Sequence, residues 1–135
     1  MIFPQTAVYA LRAMALLANL EPGASLRSRE LAELSGIPEH YVSKVLRRLV
    51  VAKLISSQKG HGGGFRLARA ASTISFHEIL AAVDVLLESG RCVFDFRNCN
   101  AKQPCPLHDR WTELQALLVG WADRASLADA RGGRA

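Results

Sequence analysis

Residues 36–67, GIPEHYVSKVLRRLVVAKLISSQKGHGGGFRL, decide the fold. Val42, Val45, Leu46, Leu49 and Val50 recur at i, i+3, i+4, i+7 and i+8, the apolar face of an amphipathic helix. That helix opens near Pro38, a residue suited to a first helical turn. After Lys53 the period changes. Leu54–Gln58 reads as a short strand, Gly60–Gly64 as a turn and Phe65–Leu67 as a returning strand, together a β-hairpin.

Upstream, Ser28 is placed to cap a short helix with Leu31, Ala32 and Leu34 inward, stopped by Gly36. Two short helices across a glycine turn, followed by a basic hairpin, describe a winged helix-turn-helix. Before them, a helix capped by Thr6 runs to about Leu20 and buries Ala10, Leu11, Met14, Leu17 and Ala18; Glu21-Pro22-Gly23 ends it. After the hairpin, Ser75-Phe76-His77-Glu78 forms a capping box for a helix facing inward with Phe76, Ile79, Leu80, Val83 and Leu87. His77 reads as solvent-facing and without a role. Gly90–Pro106 has no periodicity, a last helix spans about Leu107 to Ala122, and Ser126 caps a final turn. The expected fold is mainly α with a small β-hairpin wing: a winged helix-turn-helix plus a long C-terminal dimerisation helix. Its parts are residues 1–90 for the DNA-binding domain with its connecting helix, 91–106 for a cysteine loop, and 107–135 for the dimerisation helix and tail.

The chain's 135 residues suffice for one core, and half of them are hydrophobic, which excludes a disordered tail. Seventeen Lys and Arg against twelve Asp and Glu give a formal charge of +5. Their placement says more than their sum. From His40 to His77 there is no acidic residue, while Lys44, Arg47, Arg48, Lys53, Lys59, Arg66 and Arg69 are basic. A one-signed stretch on a helix and hairpin is a footprint for phosphates, although a solvated helix face can carry the same residues. With its apolar side buried, the third helix exposes His40, Ser43 and Lys44 for base edges and Arg47 with Arg48 for phosphates. Lys59 and His61 lead the glycine-rich hairpin tip toward the backbone or minor groove, and a plain hairpin seldom needs so many glycines. The full DNA-contacting set is Ser28, Pro38, His40, Tyr41, Ser43, Lys44, Arg47, Arg48, Lys59 and His61.

No nucleophile with a paired base and no phosphate-cradling loop between strand and helix is present, so an enzyme with a small-molecule substrate is not expected. Few aromatics argue against an RNA-stacking surface. No signal peptide and no membrane-length apolar run is found, which points to the cytoplasm. Cys92, Cys99 and Cys105 cluster in one short segment, with six and five residues between them and His108 three positions beyond. An odd clustered set reads as metal or redox chemistry rather than a disulfide framework. Iron–sulfur, structural zinc in a Cys-Cys-Cys-His set and bare redox thiols all suit it. Gly90, Pro104 and Pro106 allow the loop to fold back, and Arg91, Arg97 and Lys102 offset thiolate charge. Beyond it, Leu107, Trp111, Leu114, Leu118, Trp121 and Ala125 alternate by four and three, a heptad seam for a partner helix in a homodimer.

In this order, Tyr9–Ala13, Glu30–Glu33, Gly36-Ile37-Pro38, Tyr41–Leu46 and Lys59–Ala68, then Ile74, Ile79 and three cysteines, resemble the IscR–NsrR–RirA (Rrf-two) family of bacterial regulators. The resemblance spans residues 1–128. It implies a homodimer that binds a partly palindromic double-stranded DNA operator, as a repressor, under control of a loop-bound iron–sulfur cluster sensing iron, redox state or nitric oxide. It also implies Cys92, Cys99 and Cys105 as cluster ligands, with His108 completing an IscR-like set and Trp111 at a matching position. A mixed Cys/His set favours a 2Fe–2S cluster over a 4Fe–4S one. Another branch of the family takes an acidic ligand from the first helix; Val8 stands there and cannot ligate. The alternatives are a winged-helix regulator using zinc or thiols, and an iron–sulfur or interaction protein that binds no DNA.

Overall fold

The chain packs five helices and one hairpin, in a computed structural model that describes residues 2–87, 92, 94 and 99–133. They are α1 (Gln5–Ala18), α2 (Ser28–Ser35), α3 (Glu39–Val51), β1 (Ile55–Gln58), β2 (Gly64–Leu67), α4 (Phe76–Ala82) and α5 (His108–Arg124), with 3-10 turns at Ala71–Thr73 and Leu127–Ala130. The two strands are antiparallel, Ile55 opposite Leu67 and Gln58 opposite Gly64. The mainly α fold with a β-hairpin wing is as the sequence patterns predict. The Gly90 turn and the Arg91 and Arg97 charges lie outside the described residues.

One core joins all the helices. Met14, Leu31, Leu46, Leu49, Ile74, Ile79, Leu80 and Leu127 are fully buried in it. Seven come from apolar stripes at helical spacing or from the segment before α4, and Leu127 from the 3-10 turn after α5; burying such a side chain contributes roughly 1.5–3 kcal/mol. Leu34, expected inward, is exposed. Eight residues of α2 anchor through Leu31, and Leu34 falls one step round the helix, at the rim of a shallow groove with Arg12 and Leu16.

Helix ends depart from the sequence reading for local reasons. Pro4, not Thr6, precedes α1, and its carbonyl accepts from the Ala7 and Val8 amides at 3.0 and 3.2 Å. Arg27, not Ser28, is the N-cap of α2; its own amide donates to Glu30 Oε1 at 3.0 Å. Pro38 lies just before α3 rather than in its first turn. The box at Ser75 forms as read, with the Glu78 amide donated to Ser75 Oγ at 3.1 Å and the Ser75 amide to Glu78 Oε2 at 2.9 Å. But α4 stops at Ala82, because Asp84 takes a left-handed φ of 61°. Val83 and Leu87 are still buried, reached by a turn instead of a helix.

Glu78 is also bonded to Arg69. Partial burial raises its pKa, but the Ser75 amide and Arg69 outweigh that and hold the carboxyl below its ordinary 4.5. A depressed carboxylate stabilises the fold above pH 4.5, and the stabilisation is lost as pH falls through the lower folded value. Glu78→Gln is therefore expected to cost under about 1 kcal/mol at pH 7, for a half-exposed pair, and less at pH 3. Urea melts at both pH values measure it; an equal cost at both would contradict it.

The C-terminal region closes onto the core. Leu127 donates its amide to Ile74 O at 2.8 Å, Phe76 to Ala125 O at 3.2 Å, and Ser75 pairs with Ser126. Asn19 Nδ2 donates to Ala130 O at 3.1 Å and the Gly132 amide to Asn19 Oδ1 at 2.8 Å. His77 is half-buried after all, its Nδ1 2.6 Å from Asp123 Oδ1, and this joins α4 to α5. Along α5, Leu107, Leu114 and Trp121 are exposed, whereas Trp111 and Leu118 are half-buried. Leu117, outside the heptad reading, is 65% exposed. The outward stripe is thus 114, 117 and 121, rotated because Leu118 and Ala122 turn to the core. Trp121 is flanked by Phe3 and Phe76, with ring centroids at 5.8 and 5.3 Å.

Candidate DNA interface and cysteine site

Gly36 closes α2 in the left-handed region at φ 72°, its amide donated to Ala32 O. This reverses the chain into α3, whose Val42, Val45, Leu46 and Leu49 are buried. The opposite face therefore presents His40, Tyr41, Ser43, Lys44, Arg47 and Arg48, all exposed. The His40 ring lies 4.3 Å from Tyr41, which in turn stands 5.9 Å from Tyr9. Lys44 and Arg47 are engaged by no hydrogen bond or ion pair among the described residues, so both cations are directed to solvent. Arg48 differs: it donates to Val83 O at 3.4 Å and lies 3.6 Å from Asp84 Oδ2. Ser28 is half-buried at the start of α2, Pro38 is exposed before α3, and Lys59 and His61 are exposed at the wing tip.

The wing is tied to the segment before α2, which no sequence signal announced. Leu26 exchanges amide bonds with Phe65 at 3.0 and 2.7 Å. Ser25 Oγ donates to Gly62 O and Gly63 O, both at 3.2 Å, and Arg27 donates to Gly60 O at 2.9 Å. A Cβ on Gly63 would lie 2.2 Å from Gln58 O, and one on Gly64, at φ 139°, 2.7 Å from Leu26 O. Backbone packing thus requires glycine at 63 and 64, while Gly60 and Gly62 have open space and are favoured by their left-handed φ of 90° and 73°. Gly64→Ala is expected to cost about 2–4 kcal/mol, from strain plus a backbone clash. A urea midpoint unchanged within about 0.5 kcal/mol would contradict this.

Cys92, Cys99 and Cys105 are brought together despite their spacing in the chain. Their three sulfurs lie within 4.8 Å of one another, half-buried, with Cys92 Sγ 3.8 Å from Cys105 Sγ. The turn before α5 positions His108 so that its Nδ1 is 3.6 Å from Cys99 Sγ. The Cys105 amide is donated to Cys99 Sγ at 3.4 Å. That bond favours the Cys99 thiolate, but desolvation and the neighbouring Cys105 and Cys92 thiols outweigh it and raise the thiol's pKa. A bound cation would reverse this balance, since coordination deprotonates thiols. Lys102 is exposed nearby in sequence. Trp111, one turn past His108, is half-buried with an indole N–H that meets no acceptor among the described residues.

Residues 3–131 match the model of the Rrf2 family, described as an iron-dependent transcriptional regulator. The chain belongs to that family. It is therefore a transcriptional regulator of the Rrf2 type, whose members bind DNA. Its relatives include an HTH-type transcriptional regulator of Mycobacterium tuberculosis, 32% identical, covering 94% of this chain and 79% of that one. The regulator IscR of Escherichia coli is 30% identical and covers 90% of this chain and 74% of its own. Among solved Rrf2 structures, CymR, the global cysteine regulator of B. subtilis, superposes with a TM-score of 0.81 at 18% identity, over 96% of this chain and 95% of that one. IscR of T. potens gives 0.76 at 24% identity, over 96% and 85%. Both show the winged-helix fold. Among the described residues, no helix is long and apolar enough to cross a membrane.

Proposed function

We propose that the protein is a homodimeric cytoplasmic repressor whose operator binding is controlled by an iron–sulfur cluster on Cys92, Cys99, Cys105 and His108. The observation that carries this reading is the convergence of three sulfurs within 4.8 Å beside an imidazole nitrogen. Ligands of one tetrahedral metal with metal–sulfur bonds of about 2.3 Å stand about 3.8 Å apart. Cys92 and Cys105 have that separation. Two thiols at that separation can share one tetrahedral metal, an iron of a two-iron cluster or a zinc, whereas a four-iron cluster takes one protein ligand per iron. Bound, an iron–sulfur cluster supplies a centre sensitive to iron supply, redox state and nitric oxide.

The chain's own contacts offer a route from that site to DNA. Residues 83–87 lead toward Cys92; Val83 and Asp84 hold Arg48 of α3, and Leu87 O accepts from Gln115 Nε2 of α5 at 3.4 Å. A change in the cysteine segment is thereby passed to both the recognition helix and the α5 stripe. His40, Ser43 and Lys44 read base edges, Arg47 reaches phosphate, and Ser28, Pro38, Tyr41, Lys59 and His61 frame the groove. Two copies joined along α5 present two such helices to half-sites about one DNA turn apart or a multiple of it.

Anaerobic purification with a visible spectrum and analysis of iron, sulfide and zinc tests the cofactor. Iron with matching sulfide supports the cluster; zinc with no iron overturns it. A second reading has its own support: 3.8 Å between Cys92 and Cys105 is near enough for a disulfide on two-electron oxidation. Colourless, metal-free protein whose DNA affinity responds to peroxide would select it. For the dimer, Leu117→Glu is expected to shift light-scattering mass from two chains to one at micromolar concentration. A variant that stays dimeric would remove the α5 stripe from the interface.

A further inference from the structure

Between the start of α1 and the exposed face of α3 lies a cleft of about 480 Å³ that sequence reading did not single out. Gln5, Thr6 and Tyr9 line it from α1; Ser43, Lys44 and Arg47 line it from α3. We infer that this cleft is a phosphodiester site, in which the first turns of α1 clamp the DNA backbone beside the groove occupied by α3. The inference rests on the DNA-binding reading above and adds Gln5, Thr6 and Tyr9 to it.

Chemistry and sign both point to an anion. None of the lining residues is acidic, and α1 has no acidic residue in its first turn. Three cations (Lys44, Arg47 and Arg48, the last also held by Asp84), the Thr6 and Ser43 hydroxyls, the Tyr9 and Tyr41 phenols and the Gln5 amide converge, a donor-rich set matched to phosphate oxygens. Among the described residues, no hydrogen bond or ion pair within the chain occupies the polar ends of Gln5, Thr6, Tyr9, Lys44 or Arg47. The packing of Tyr41 toward Tyr9 holds the two walls together at 5.9 Å, so α1 is fixed relative to the recognition helix. A phosphate gripped there would position α3 without reading sequence.

The test uses Gln5→Glu and Gln5→Lys in the full chain. Gln5 is the first residue of α1, where a carboxylate favours the helix, so Gln5→Glu is not expected to unfold the protein. With a duplex selected from a randomised pool and with an unrelated duplex, Gln5→Glu should weaken binding about 10-fold on both, leaving their ratio unchanged. Gln5→Lys should tighten both several-fold. Affinities within about twofold of the parent for both variants would overturn the cleft as a DNA contact while leaving α3 binding intact. Inorganic phosphate titrated by NMR separates the sources: a loss of its binding in Gln5→Glu with DNA affinity unchanged makes this a small-anion site and also overturns the proposal. Failure of the parent itself to bind any duplex would overturn the underlying DNA reading together with this one.

Discussion

Cys105→Ala is expected to lower co-purifying iron and sulfide at least about 10-fold, the largest loss from any single substitution in the cysteine site. Cys105 is placed centrally. Its sulfur is 3.8 Å from that of Cys92, and its amide points at the sulfur of Cys99. Removing it leaves Cys92 and Cys99 without the sulfur that accompanies them. His108 approaches the group at Cys99 Sγ, so His108→Ala should lower metal content less and alter the visible band shape more. Metal analysis on anaerobic preparations of the parent and both variants measures the ranking. Equal metal in the parent and Cys105→Ala would remove the thiols from the site's chemistry.

The double substitution Lys44→Ala with Arg47→Ala is expected to weaken duplex binding by about 100-fold or more, taking roughly 1–3 kcal/mol per lost contact. The two residues divide the effect differently. Arg47 on a phosphate contributes to every duplex alike, and its loss should reduce the slope of log affinity against log salt by about one. Lys44, nearer the start of α3, should cost more on the preferred sequence than on an unrelated one. Neither side chain has a hydrogen-bond or ion-pair partner among the described residues, so both truncations should leave stability unchanged within about 0.5 kcal/mol. Arg48 is the useful contrast. Held by Val83 and Asp84, it should cost stability when truncated, and the salt slope should move little. Fluorescence anisotropy over a range of salt, beside urea melts, separates these outcomes.

The fold was legible where a single local period carried it. Val42, Val45, Leu46 and Leu49 are buried, and the Ser75–Glu78 and Ser126 caps form where the pattern placed them. Three features were not legible, each because a partner distant in sequence decides it. The His77–Asp123 contact spans 46 positions and depends on how α5 lies on α4. The exposed apolar stripe on α5 differs from the heptad reading because one side of that helix is claimed by the core, which a heptad count alone does not show. The glycine run suggested close approach by DNA, yet the backbone of Gln58 and of Leu26 already requires glycine at 63 and 64. Of the candidate site, the cysteines and the polar face of α3 were visible as residue types in sequence. The cleft against Gln5 and Thr6 was not, since neither residue is charged and both precede α3 by more than 30 positions.

On the proposed function, the cysteine site governs DNA binding. The most direct test is the affinity of one anaerobic preparation for one selected duplex, before and after the metal is removed by a chelator. A change of about 10-fold or more in either direction, abolished in Cys105→Ala, is expected for two coupled sites. Identical affinity in the loaded and stripped states, with the duplex still bound through α3, would contradict it.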